Sequence, residues 1–336
     1  MLSAFEDFMQ QNKRFKNFAV IALGWMGDTL MAEGLCKNIK SRVPDAKITF
    51  VVLKAFADIP KLISSVDDIV VYDKKVEHKG LLGYFKFAKL FKDKNIDVAI
   101  IVHPHERSVL CAISTGAKNI VSLPLKGKLN PLNLFINIKK KVDSEEILNV
   151  YKNDYNANYL NLIGFETVHT EVDLVVPLME QLSGFELPEK YVVLVPESKN
   201  EFRSWDYENI ALFIKQSKFP VVLTGTAQTL KLAERLENDE VEFINLAGKT
   251  TIMELAFIIQ KALATVSVDT GAMHLSYGLG VETICLFYVA DKVKKWLPQD
   301  RKNVHLLLGE RVTQDGKIVT LKPITYSVVL NELSKL

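Results

Sequence analysis

The segment Asp269-Thr270-Gly271-Ala272-Met273-His274 sets a carboxylate, a hydroxyl, a glycine and an imidazole at one junction, between an apolar run and a helical pattern. A helix start carries unbonded amides and a partial positive charge, so Thr270 and Gly271 suit a diphosphate. Asp269 suits neutral sugar hydroxyls, which donate to a carboxylate. Together they outline a sugar-nucleotide site. Taken singly, Asp269 or Thr270 is as readily a helix cap, and His274 a half-buried helix residue.

A second candidate is Leu23-Gly24-Trp25-Met26-Gly27-Asp28, where two glycines allow a tight turn and Asp28 opens a helical pattern. As an N-cap, Asp28 would stabilise by about 1 kcal/mol. As a general base it would take a proton from an incoming hydroxyl. The glycine spacing is not that of a dinucleotide fingerprint, which weakens a nicotinamide-dependent oxidoreductase. His103-Pro104-His105-Glu106-Arg107 follows a buried-looking strand, and its imidazoles and guanidinium suit phosphate or sugar. A zinc reading of the two histidines fails because no further Cys or His lies nearby. Thr250, Thr251 and Glu254 have capping-box spacing, which explains them without a ligand.

These residues need a scaffold that brings strand ends together. Val- and Ile-rich runs recur at Phe18–Leu23, Ile48–Leu53, Ile69–Tyr72, Val98–Val102 and Asn119–Ser122, with helical patterns at Asp28–Ile39 and Tyr84–Phe91. The basic segment Pro124–Asp143 reads as a long loop, and Ser144–Leu162 as a helix. The alternation restarts at Tyr191–Val195, Val221–Thr224, Glu242–Asn245, Ala264–Val268 and Thr283–Phe287. Helices fit at Asp206–Gln216, Gln228–Leu236, Ile252–Lys261 and Gly271–Gly280, and a last amphipathic pattern covers Ile324–Leu336. Such β-α alternation predicts an α/β protein of two doubly wound parallel sheets facing across a cleft. The expected divisions are a first domain at 1–170, a linker at 171–190, a second domain at 191–322, and a final helix at 323–336 folding back over the first domain.

The chain has 336 residues, 48% hydrophobic and 24% charged, with net charge +2, as expected of a soluble two-domain protein. Residues 1–170 hold 24 Lys and Arg against 18 Asp and Glu, and the remainder 18 against 22, so the halves are +6 and −4. Lys74-Lys75, Lys126-Gly127-Lys128 and Lys139-Lys140-Lys141 suit an anionic acceptor or a lipid surface, although any one cluster is ordinarily just solvated. No binding motif accompanies the charge, so nucleic acid is disfavoured. Cys36, Cys111 and Cys285 lack metal-ligand spacing and are expected to serve packing in a reducing compartment. The N-terminal residues lack the apolar core of a signal peptide, and no run reaches the ~20 apolar residues that span a bilayer. A cytoplasmic location is the expectation.

Gly27-Asp28, the segment Asn245–Ala256 and the D-T-G-x-x-H block together resemble glycosyltransferase family 9, the bacterial lipopolysaccharide heptosyltransferases, over nearly the whole chain. That resemblance implies a GT-B fold of two Rossmann-like domains. It also implies inverting, metal-independent transfer of heptose from ADP-heptose to a lipopolysaccharide core or lipid A-linked acceptor, with no cofactor. By position, Asp28 matches the catalytic base, and Asp269, Thr270, Gly271 and His274 match donor-site residues. Arg203, two places before Trp205, matches a basic residue that meets the donor phosphates, with Lys199 as a second basic candidate. Thr226, Thr250 and Thr251 fall near the nucleoside. Gly27, His103, His105 and Arg107 fall on the acceptor side, where the histidines depart from the family's pattern, as does Tyr288 where glycine is typical. The basic first domain would then visit an anionic membrane surface. Two other readings keep the architecture: a GT-B enzyme with another nucleotide sugar, and a non-catalytic sugar-nucleotide or glycan-binding protein.

Overall fold

The computed structural model describes residues 15–124, 131–143, 145, 148–177, 186–198, 203–288, 293–298, 300–314, 317–322 and 324–336. Two compact units divide the chain, Met1–Val172 and Asp173–Leu336. Residues 178–185 of the expected linker lie outside the described residues. Beyond the division, the Leu174 amide donates to the Gly278 carbonyl at 2.9 Å, fastening that stretch to the second unit. No helix among the described residues is long and apolar enough to cross a membrane.

The first unit holds six parallel strands, β1 (Asn17–Ala22), β2 (Lys47–Leu53), β3 (Asp68–Tyr72), β4 (Val98–Ile101), β5 (Asn119–Ser122) and β6 (Ile138–Lys139), ordered β3-β2-β1-β4-β5-β6. The central strands are continuous apolar runs because helices cover both faces of the sheet. Ala19, Ile21, Val51, Ala99 and Ile101 pack there with Phe87 and Phe91. The segment read as one loop after Ser122 supplies a short helical turn, Pro131–Phe135, and the sixth strand.

The helix expected at Asp28–Ile39 is two helices, α1 (Met26–Leu30) and α2 (Glu33–Arg42). Polar side chains from a distant helix stabilise the break. Asn156 Nδ2 donates to the Met31 carbonyl at 2.7 Å, and Asn153 Oδ1 accepts from the Gly34 amide at 2.8 Å. Helices α3 (Gly80–Lys89) and α4 (Glu106–Ser114) follow β3 and β4. The asparagines belong to α5 (Lys152–Ala157), which continues as a tighter turn over Asn158–Ile163; bends at Asn149 and Val150 interrupt the helix expected over Ser144–Leu162, of which residues 144, 146 and 147 lie outside the described residues.

The second unit repeats the plan with β7 (Val192–Val195), β8 (Val221–Leu223), β9 (Ile244–Asn245), β10 (Ala264–Val268), β11 (Glu282–Phe287) and β12 (Val304–Leu308), ordered β12-β11-β10-β7-β8-β9 and all parallel. Its helices are α6 (Tyr207–Gln216), α7 (Leu230–Asn238), α8 (Ile252–Lys261), α9 (Gly271–Gly278), α10 (Val293–Trp296) and α11 (Tyr326–Leu333). Strand β12 and the antiparallel hairpin β13 (Glu310–Gln314) and β14 (Lys317–Lys322) were not expected.

The placement expected for the final helix is corrected. Val329 and Leu333 of α11 lie in the second unit's own core with Trp205 and Phe213, and the Tyr326 amide donates to Asn209 Oδ1 at 2.7 Å. Burial of that apolar face fixes the helix where it is. Tyr288 also serves this corner: its buried hydroxyl accepts from the Ile324 amide. All three cysteines are buried and unbridged, as packing residues should be.

Candidate active site

Open doubly wound sheets bind ligands beyond the carboxyl ends of their strands, where the strand order reverses. In the first unit that point lies between β1 and β4. The chain leaving β1 turns at Gly24 and enters α1, whose N-cap is Trp25, in extended conformation and with no side-chain capping bond. Asp28 sits within the first turn, so the capping role weighed for it does not apply. The chain leaving β4 reaches His103, and His103 Nε2 lies 3.0 Å from Asp28 Oδ1. Each side chain remains partly open to solvent, 22% for His103 and 23% for Asp28. Just before His103, the buried Tyr159 hydroxyl donates to the Val102 carbonyl at 2.7 Å and fixes the strand end.

Glycine is required at 24 by close approach. A Cβ there would stand 2.7 Å from Asp28 Cβ and 3.1 Å from His103 Cε1. Gly24→Ala is therefore expected to push the pair apart, and a crystal structure of the variant checks this.

A cleft of about 760 Å³ opens at this strand end. Asp28, His103, His105 and Arg107 line it, together with Trp25, Phe56, Lys54, Lys74 and Lys75. The cleft is thus basic with aromatic walls, and the exposed Trp25 meets Phe56 edge-on at 6.4 Å. Lys54 and Asp73 pair at 2.8 Å. That bond, aided by the Lys75 and Val76 amides, holds the Asp73 carboxyl below the usual range against desolvation.

His105 has a second task, as N-cap of α4, accepting from the Ser108 amide at 3.3 Å. Partial desolvation, and then the charges of His103, Arg107 and Lys74, push its pKa down against a bond to the Leu23 backbone that raises it. Gly27 is not on the cleft wall. It lies in the first turn of α1 beside Asp28, and its carbonyl accepts from the Met31 amide.

In the second unit the strand order reverses between β7 and β10. The loop leaving β7 closes where the Trp205 amide donates to the Pro196 carbonyl at 2.8 Å. Trp205 is buried, and its indole Nε1 donates to the Ile324 carbonyl at 2.6 Å. Trp205 is therefore not a surface platform for the neighbouring Arg203. Arg203 Nη1 instead donates to Asp269 Oδ2, just beyond β10, at 3.1 Å. Asp269 is nearly enclosed, whereas Arg203 keeps 28% of its side chain exposed. Its buried Nε has no hydrogen-bonding partner among the described residues. Lys199 lies outside the described residues.

Thr270 is the N-cap of α9, in extended conformation and without a side-chain capping bond. Its hydroxyl lies 3.3 Å from Ser267 Oγ and does not cap the first-turn amides, which begin at Gly271. His274 is buried. Its Nδ1 lies 2.8 Å from the Tyr277 hydroxyl, and its ring packs 5.5 Å from Trp296. This gives His274 a bracing position beneath the helix start rather than an open one.

The loops after β8 and β9 are joined where the Gly248 amide donates to the Gly225 carbonyl at 2.9 Å, which brings Thr226 and the Thr250-Thr251 segment to one edge. Thr226 accepts from the Gln228 amide at 3.3 Å. Thr251 and Glu254 form a capping box at the start of α8, as their spacing predicts. Sequence reasoning gave no role to Glu197, in the Arg203 loop; burial raises its pKa, opposed by a Thr229 hydrogen bond. Among the described residues, no three His, Cys, Asp or Glu side chains are placed to hold a metal ion.

A family model described as glycosyltransferase family 9 (heptosyltransferase) matches residues 84–321. The lipopolysaccharide core heptosyltransferase OpsX of Haemophilus influenzae is 22% identical over 286 residues, covering 81% of this chain and 79% of its own. The glycosyl transferase family 9 structure from Veillonella parvula superposes with a TM-score of 0.79 at 18% identity, covering 96% of this chain and 97% of that one. The structure of E. coli heptosyltransferase WaaC with ADP gives a TM-score of 0.73 at 17% identity, covering 95% and 99%. The fold is GT-B, with two Rossmann-like doubly wound units.

Proposed function

The chain belongs to glycosyltransferase family 9, and from that premise we propose that it transfers heptose from ADP-heptose to a lipopolysaccharide inner-core acceptor, with inversion and without a metal. It is a glycosyltransferase of the lipopolysaccharide heptosyltransferase type. The observation that carries the finer reading is the partly exposed Asp28 carboxylate, poised against His103 at a strand-order reversal and opening onto a basic cleft.

In this reading Asp28 takes the proton of the acceptor hydroxyl as that oxygen forms its bond to the anomeric carbon. The bond from that carbon to the diphosphate breaks on the opposite face. Hydrogen bonding to His103 Nε2 orients the receiving carboxylate. Arg203, already steadied by Asp269, meets the departing diphosphate with its remaining donors, and the first-turn amides of α9 share the developing charge. Lys199, Thr226, Thr250 and Thr251 are assigned to the donor's phosphates and nucleoside, and His103, His105 and Arg107 to the acceptor. These substrates imply cytoplasmic work at the inner face of the membrane, where the +6 charge of residues 1–170 favours an anionic surface.

Release of nucleoside diphosphate, measured across ADP-, UDP- and GDP-linked sugars with and without truncated lipopolysaccharide cores, tests the proposal. Release confined to ADP-heptose plus a core supports it. Release from another pairing selects a different GT-B transferase, and binding without release selects a non-catalytic sugar-nucleotide protein.

A further inference from the structure

We propose that helix α3 is a membrane-docking segment whose outer face seats apolar side chains in an anionic lipid surface. The helix is apolar on two opposite sides. Its inner side is fastened to the unit: Phe87 is fully buried, with ring contacts at 5.1 Å to Tyr72, 5.1 Å to His78 and 5.3 Å to Phe91. Gly83 lies so close to the preceding turn that a Cβ would stand 2.3 Å from the His78 carbonyl carbon. The outer side carries Leu81, Leu82 and Phe85, exposed by 73, 79 and 55%, and Val76 in the turn before is 74% exposed. Isolated exposed apolar residues are ordinary. A contiguous stripe on a firmly anchored helix marks an interaction site.

Charge complementarity selects the occupant. Residues 74–92 hold six lysines, Lys74, Lys75, Lys79, Lys86, Lys89 and Lys92, against the single acid Glu77, and all six are exposed. Apolar side chains rimmed by lysines match a lipid surface with anionic headgroups, since lysine stems can run along the acyl boundary while their ammonium groups remain among the phosphates. A symmetric dimer through this face would set the same lysines against one another. A groove of about 880 Å³, lined by Phe15, Phe85, Ala88 and Ile96 and by Lys89, Lys92 and Lys118, continues the same chemistry along the helix. The turn leading into α3 carries Lys74 and Lys75, which also line the acceptor cleft, so a surface holding the helix would hold lipid-linked molecules beside that cleft. The inference adds an inserting segment to the surface encounter proposed above. Its readout involves no turnover, so an error in the donor or acceptor assignment leaves it standing.

The test is flotation of the full chain with phosphatidylglycerol-containing vesicles and with pure phosphatidylcholine vesicles, at low and high salt. The parent chain is expected to bind the anionic vesicles, less strongly at high salt but retaining a salt-resistant fraction from apolar insertion. Leu82→Glu with Phe85→Glu, both at exposed positions, should lower that affinity by about tenfold or more at either salt. Leu82→Ser with Phe85→Ser should act in the same direction without added negative charge, and the melting temperature of each variant checks its folding. Parent-like vesicle binding by both variants would overturn the proposal. So would complete loss of parent binding at high salt, no binding to anionic vesicles, or a parent dimer that the variants convert to monomers.

Discussion

Asp28→Asn is expected to lower kcat by about 10²- to 10⁴-fold, the range spanned by a lost general base, while ADP and donor affinity stay close to those of the parent. Asparagine keeps the size of the side chain and can still accept from His103 Nε2, so the contact across the 3.0 Å gap survives. Only the ability to take a proton is removed. Asp28 is partly exposed and caps no helix, so the melting temperature should barely change. Single-turnover nucleotide release, set beside calorimetric titration of ADP, separates the two quantities. Parent-like turnover in this variant would end the assignment of Asp28 as base.

Arg203→Ala should have the second large effect, and of a different kind. Both donor binding and kcat should fall, with a loss of about 10²–10³ in kcat, as for removal of a charge-stabilising donor. The change also takes a cationic partner from the enclosed Asp269 carboxylate, at a cost of about 1–3 kcal/mol in stability. The two consequences separate in a pair of further variants. Arg203→Ala combined with Asp269→Asn should recover part of the stability and none of the activity. Arg203→Lys should keep a positive charge but lose the planar fork, and so fall between parent and alanine in donor affinity. Thermal melts and ADP titration of all four proteins decide the matter. Unchanged ADP affinity in Arg203→Ala would leave Arg203 only its structural bond to Asp269.

The two-sheet architecture was legible because its central strands are buried on both faces and so are written as unbroken Val- and Ile-rich runs, such as Val98–Ile101 and Ala264–Val268. Helix α8 was found at its observed ends because Thr251 and Glu254 announce a capping box. What stayed hidden depends on partners far along the chain. The break between α1 and α2 rests on asparagines 119 and 125 residues away, and no local pattern at Met31 signals it. Strand β12 escaped because it is half-exposed and lacks a clean apolar run. The same distinction holds at the sites. Asp28 and Asp269 were singled out by their junctions and Arg203 by the family resemblance, but the pairings Asp28–His103 and Arg203–Asp269 span 75 and 66 residues and required coordinates. Lys54 and Phe56 were missed because their place on the cleft wall follows from the strand neighbouring β1, not from any motif.

Both sheets run in the same order, yet corresponding strand ends carry different groups. In one, a carboxylate follows the first strand and an imidazole the fourth; in the other, a guanidinium follows the first and a carboxylate the fourth. Under the proposed function, each unit therefore carries the groups that meet one of the two ligands. On the proposed reading, exchanging the residues before Val172 between two relatives should change the acceptor used and leave ADP affinity as it was.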